Sequence, residues 1–116
     1  MKRQRAERGG RRAEIIASWW LRLHGWRILA RRARTPLGEV DLVAKRGRLV
    51  AFVEVKARAT ADEANRSLDH VRLRRVAAAA EALAPRFATP GDDIRIDAIF
   101  IVPGRLPRHL PNVWHG

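Results

Sequence analysis

The spacing of apolar positions changes along the chain, and each change marks an element. Over residues 13–24, Ile15, Ile16, Trp19, Trp20 and Leu23 recur at helical spacing and Gly25 supplies a stop, which predicts a first helix. Glu14, Ala17 and Leu21 form a second stripe roughly opposite the first, so this helix is expected to pack on two sides. Residues 26–33 alternate as a strand does, and Thr35, Pro36, Leu37 and Gly38 turn the chain. Residues 39–44 and 48–56 flank Lys45, Arg46 and Gly47, which reads as an antiparallel hairpin. Its second arm, LVAFVEVK, is apolar on both faces, as a strand in the middle of a covered sheet should be. Residues 57–66 read as a polar loop. Helical spacing resumes through Leu73, Val76, Ala77, Ala80 and Leu83 until Pro85 ends it, and residues 93–102 give a fourth strand. The proline-punctuated tail PGRLPRHLPNVWHG follows, with Trp114 expected to dock on the body. The order helix, three strands, helix, strand, without internal repeats, predicts an α/β layer arrangement with a mixed sheet.

Length and charge narrow this picture. A chain of 116 residues supports one core, expected over residues 13–116, while residues 1–12 are rich in Lys and Arg with nothing to bury and read as a flexible basic arm. The chain carries 24 Lys plus Arg against 12 Asp plus Glu, a net charge of +12 that makes a polyanion the natural partner, nucleic acid ahead of an anionic membrane. Of the 24, 21 are Arg; a GC-rich genome would account for Arg over Lys, but not for the excess of charge. The absence of cysteine excludes disulfides, thiolate metal sites and cysteine nucleophiles, and fits a reducing compartment. No apolar run approaches the ~20 residues of a membrane helix, and the basic start leads into an amphipathic segment. The expectation is a soluble, unexported, cytoplasmic protein that does not use a membrane.

Candidate chemistry lies in the hairpin. Glu54 and Lys56 share one face of the most apolar strand, where unpartnered charges would cost several kcal/mol, so they need a strand end or compensation. If the turn centres between Arg46 and Gly47, residues whose numbers sum to 93 face each other, and Asp41 lies diagonally from Glu54 on the same face. Diagonal carboxylates, ~7 to 8 Å apart at the backbone, converge around one cation. Two carboxylates suit Mg²⁺ or Mn²⁺ with substrate phosphate completing the shell, and a lysine beside them would orient the nucleophile and offset developing charge. The plainer reading is a cross-strand salt bridge at a sheet edge. Arg72, Arg74 and Arg75 on the second helix, with Arg58 after the lysine, offer a surface for phosphates, or simply a solvated basic face. His24, His70, His109 and His115 lack ligand spacing, and Trp19 and Trp20 are expected in the core rather than as base-stacking platforms.

The segments GEVDLVA and LVAFVEVKAR joined by a short turn, followed later by RIDAIFIVPGRLPRHLPNVW, resemble the YraN-like family of bacterial proteins. The match runs from about Arg12 to the tail. That family looks like the archaeal Holliday-junction resolvases within the restriction-endonuclease-like, PD-(D/E)xK nucleases. The resemblance implies a restriction-endonuclease-like mixed central sheet flanked by helices. It further implies Asp41 and Glu54 as ligands of Mg²⁺ or Mn²⁺, Lys56 as the catalytic lysine, and Glu14 as the helix glutamate that completes the site. Glu39 belongs to the matched GE pair, either as a group behind the ligands or as an exposed residue closing a turn. Arg72 stands where the family usually carries lysine or glutamine. A metal-dependent DNA nuclease acting on branched or structured DNA is the leading expectation, since the Asp, Glu and Lys set is intact. A non-catalytic nucleic-acid-binding module is the alternative. A basic RNA- or ribosome-associated protein would not predict acidic residues within the most apolar hairpin. Symmetric cutting of two strands would call for a homodimer.

Overall fold

A computed structural model describes the backbone of residues 2–115 and the side chains of residues 10–115. Eight elements follow one another: α1 (Lys2–Leu23), β1 (Arg27–Thr35), β2 (Gly38–Arg46), β3 (Leu49–Ala57), α2 (Ala61–Arg66), α3 (His70–Phe87), β4 (Asp93–Ile101) and β5 (Arg108–Leu110). The sheet order is β1-β2-β3-β4-β5; β3 and β4 are parallel and the remaining neighbours antiparallel. LVAFVEVK is thus the central strand, covered on both faces, as its unbroken apolar run predicts. α1 packs on one face, over Leu42, Ala44, Ala51, Val53 and Ile99, and α3 on the other, over Val43, Val50, Phe52 and Ile96. The arrangement is a restriction-endonuclease-like α/β fold. No described helix is long and apolar enough to cross a membrane.

Helix α1 ends where Gly25, at φ +88°, allows a Schellman closure: Trp26 N–H donates to Leu21 O and Gly25 N–H to Arg22 O. Its face, however, is the reverse of the one hydrophobicity suggests. Ala13, Ala17, Ser18 and Leu21 are buried, whereas Ile15, Ile16, Trp19 and Leu23 are exposed, Trp19 at 58%. Small side chains let the helix backbone approach the sheet, and that closeness outranks the apolar bulk of the other stripe. Trp19 is therefore not core; Trp20 is half-buried against His24. The helix backbone begins at Lys2, inside the segment expected as a basic arm; Met1 and the side chains of residues 1–9 lie outside the described residues.

Three further departures have local causes. Residues 57–66 contain α2, capped by Thr60, whose hydroxyl accepts from Glu63 N–H while the Glu63 carboxylate accepts from Ala59 N–H. The Thr-x-x-Glu signature of a capping box stands in the sequence. α3 starts at His70 under the cap of Asp69 and runs through Pro85 to Phe87, because a proline in the last turn forfeits only one hydrogen bond. The tail forms β5 on the edge of β4, and Val113 N–H then donates to Ile96 O. Trp114 docks as expected, against the α3 face and 4.8 Å from the His70 ring.

Candidate active site

The turn between β2 and β3 fixes the geometry of everything at the hairpin's open end. Gly47, at φ +62°, and Arg48 form a two-residue turn of the II′ kind, so facing residues sum to 95 (Arg46 with Leu49 through Leu42 with Val53), not 93. A shift of two keeps every side chain on its face. Asp41 therefore lies opposite Glu54 rather than diagonal to it. Backbone pairing stops at Leu42 and Val53, and beyond that point the Val55 N–H donates to Asp41 Oδ2 at 2.7 Å. A carboxylate thus takes the place of the strand carbonyl, which holds Asp41 against β3.

Beside it, Lys56 Nζ lies 3.0 Å from Glu54 Oε1, and Lys56 is only 3% exposed. Glu54 therefore has a cationic partner, whereas among the described residues Asp41 has only the Val55 amide. Burial, then the Glu54 charge, push the Asp41 carboxyl up to about 7 against the lowering effect of the Val55 bond, with Glu14 and Glu39 adding to the rise. This is a local excess of negative charge. The cavity in front of it, about 330 Å³, is lined by Gly38, Glu39, Asp41 and Glu54 on the sheet side and by Arg72, Arg75 and Val76 of α3. α3 can sit this close because residue 38 is glycine: a Cβ there would lie 3.1 Å from Arg75 O.

The other sequence candidates are distributed around this centre. Glu14 is held by Arg32, Nε to Oε1 2.8 Å, with Arg32 at φ +50° just past a bulge in β1. Its cavity is a separate one, lined also by Arg11, Ile15 and Arg31, yet its charge still reaches Asp41. Glu39 is exposed and 3.4 Å from Arg34. Arg72 and Arg75 join the site, but Arg74 does not: it lines a different hollow with Glu81, Ile94 and Trp114. Residues three apart share a helix face and residues two apart do not, so Arg72 and Arg75 line this cavity together and Arg74 lines another. Arg58 lies beyond the end of β3, lining a cavity with Arg12 and Arg105.

Among the described residues, no group of three or more His, Cys, Asp and Glu is gathered closely enough to cage a metal by itself. Asp41 and Glu54 nevertheless fit a hard divalent cation. They offer oxygen donors only, and burial and the Glu54 charge oppose the ionised Asp41 that a cation would favour; Mg²⁺ is commonly held by one or two carboxylates with water and substrate oxygens.

One buried acidic residue escaped the sequence reading. Asp97 of β4 is fully buried and accepts from Arg95 Nε and Nη2 (2.8 and 2.9 Å) and from Asn112 N–H (3.0 Å), with His109 Nε2 at 2.7 Å. Burial works against its charge, but the His109, Arg95 and Asn112 contacts prevail and hold the carboxyl below its usual range. It ties β4 to β5 and the tail, on the face of α1. An acid within the apolar run IRIDAIFI is the same signal that singled out Glu54, so it was legible.

Comparison with known proteins covers almost the whole chain. A UPF0102 protein of Sphingopyxis alaskensis is 65% identical over 114 residues, 98% of each chain. Those of Erythrobacter litoralis and Rhizorhabdus wittichii are 60% and 57% identical, over 98% and 99% of this chain. A family model, that of the uncharacterised protein family UPF0102, matches residues 13–101, a span that holds α1 from Ala13, the hairpin and β4. The chain belongs to UPF0102, the YraN family that its hairpin motif resembles.

Proposed function

We propose that this protein is a Mg²⁺- or Mn²⁺-dependent nuclease of the cytoplasm that hydrolyses phosphodiester bonds in DNA, with branched or structured DNA as its substrate. The observation that carries the reading is the meeting of Asp41, Glu54 and Lys56 at the open end of the β2–β3 hairpin, where Asp41 and Glu54 line a cavity roofed by Arg72 and Arg75 and Lys56 is held behind them by Glu54. Asp41 and Glu54 would hold the cation, which when bound supplies charge stabilisation to the phosphate and acidifies water. Lys56, fixed by Glu54, donates a hydrogen bond to the attacking water and offsets charge gathering on the phosphate oxygens. Arg72 and Arg75 grip the flanking backbone by charge, without reading bases. Cutting both strands of a junction symmetrically would use two copies of the chain, one site each.

The experiment is cleavage of labelled single-stranded, duplex, flap and four-way-junction DNAs by the wild type beside Asp41→Ala and Lys56→Ala. Cleavage that requires Mg²⁺ or Mn²⁺ and is lost in both variants is the expected result. One observation favours a second reading. Glu54 and Lys56 already pair, and Asp41 already accepts from Val55, so the three side chains also make a self-sufficient structural joint. Salt-sensitive DNA binding without wild-type cleavage would decide for that reading, a non-catalytic nucleic-acid-binding module.

A further inference from the structure

A groove crosses the carboxyl ends of the parallel strands β3 and β4, on the opposite side of β3 from β2 and Asp41. It has two parts, of about 390 and 480 Å³, that share Val102 and Arg105. The first lies on the face of Lys56, whose register partner Phe100 lines it together with Ala61 and Ala64 of α2. The second lies on the face of α1 and is lined by Ile16, Ala57 and Ile101. The crevice outside the carboxyl ends of parallel strands is the usual ligand position in open α/β sheets.

The lining has a definite chemistry. Its base is apolar, its charged residues are Arg12, Arg58, Arg105 and Arg108, and among the described residues no carboxylate lines either part. Arg58 donates to Ala57 O at 2.7 Å and Arg108 to Asn65 Oδ1 at 2.8 Å. Each contact uses one of five guanidinium N–H donors and sets the rest in position. A duplex meeting this groove would present phosphates but keep its bases stacked away from the apolar base. An unpaired strand offers both.

We propose that the groove holds an unpaired strand of the nucleic-acid substrate, its bases on Leu106, Val102 and Ile16 and its phosphates on the four arginines. The inference rests on nucleic acid being the substrate, and it assigns single-stranded character to one arm of that substrate. Arg58 follows Lys56 by two residues, just past the end of β3, so the groove begins next along the chain from the Asp41–Lys56 site. The exposure of Ile16 follows from the same arrangement, since α1 turns this residue toward the groove instead of the sheet.

The test is fluorescence anisotropy in EDTA, where no cleavage intervenes, with fluorescein-labelled oligothymidine and a duplex of equal length. Wild type is compared with Arg12→Glu/Arg105→Glu, both positions being exposed, and thermal melts verify that the variant folds. The expected result is a loss of at least tenfold in single-strand affinity with less than threefold on the duplex. Equal losses on both, no loss, or no wild-type binding of oligothymidine would overturn the proposal. So would displacement of the strand by polyglutamate or phosphatidylglycerol vesicles as effective as by unlabelled oligothymidine. The nuclease reading is decided separately, by metal-dependent cleavage and its loss in Asp41→Ala.

Discussion

Asp41 and Val55 are joined across the open end of the hairpin by a 2.7 Å hydrogen bond in which the backbone N–H donates to the side-chain carboxylate. The bond explains how an acid stays at a place that opposes its charge. With its carboxyl near 7 in the folded protein and about 3.9 in the unfolded chain, the folded state binds the proton more tightly. Stability is therefore fully present below about pH 4 and is lost as pH rises toward 7. The loss is at most ~4 kcal/mol. Asp41→Asn keeps an acceptor for Val55 and removes the charge, so in chelator it should raise the urea midpoint, more at pH 8 than at pH 5. An equal or negative change at both pH values would show that the site is not charge-strained.

The same charge excess predicts a response to metal. A cation bound between Asp41 and Glu54 stabilises only the folded state, by about 1.4 kcal/mol at ten times its Kd. In a domain of 116 residues that is a rise in Tm of about 5 °C. MgCl₂ or MnCl₂ should produce this rise at pH 8 in the wild type and little of it in Asp41→Asn. The same rise in both proteins would place any metal effect elsewhere.

Asp97 carries the opposite sign. Its carboxyl is held below the unfolded value, so its contribution is present above about pH 4 and is lost as pH falls through the folded pKa. Asp97→Ala leaves Arg95, His109 and the Asn112 amide without their acceptor and should cost about 3 kcal/mol or more in urea unfolding. Asp97→Asn should also be destabilised at pH 7, and its stability should depend less on acid than that of the wild type. Hydrogen exchange should report the damage first at the β4–β5 pairs, Ala98 with Leu110 and Ile99 with His109.

Much of this was readable in the chain, for reasons that separate cleanly. The side-chain period of a strand is two, so the face shared by Asp41, Glu54 and Lys56 survived a hairpin register misjudged by two residues. What the misjudgment obscured was distance, because the turn residues Gly47 and Arg48, not Arg46 and Gly47, set which residues oppose. The separation of Arg74 from Arg72 and Arg75 follows from helix spacing, but which of the two faces meets Asp41 depends on how α3 is seated over β2, where Gly38 lets Arg75 approach. α2 was overlooked although Thr60 and Glu63 announce it. The groove arginines were invisible as a group, since Arg12, Arg58, Arg105 and Arg108 come from distant parts of the chain and meet only once β3 and β4 lie parallel.

The reversed face of α1 gives the last prediction. Hydrophobic rank favours Ile15, Trp19 and Leu23 as the buried stripe, but Ala17, Ser18 and Leu21 have no exposure whereas Trp19 and Leu23 are more than half exposed. The Ala17 methyl is fully buried in one cluster with Leu42, Ala51 and Val53. Ala17→Leu adds bulk between helix and sheet and should cost ~1–3 kcal/mol although it raises hydrophobicity. Trp19→Ser removes a large, mostly exposed side chain from water and should change stability by less than ~0.5 kcal/mol. Urea denaturation of the two variants checks both signs at once. If Trp19→Ser proves the more damaging, α1 is rotated about its axis, and Glu14 and Ile16 no longer face the two cavities they line.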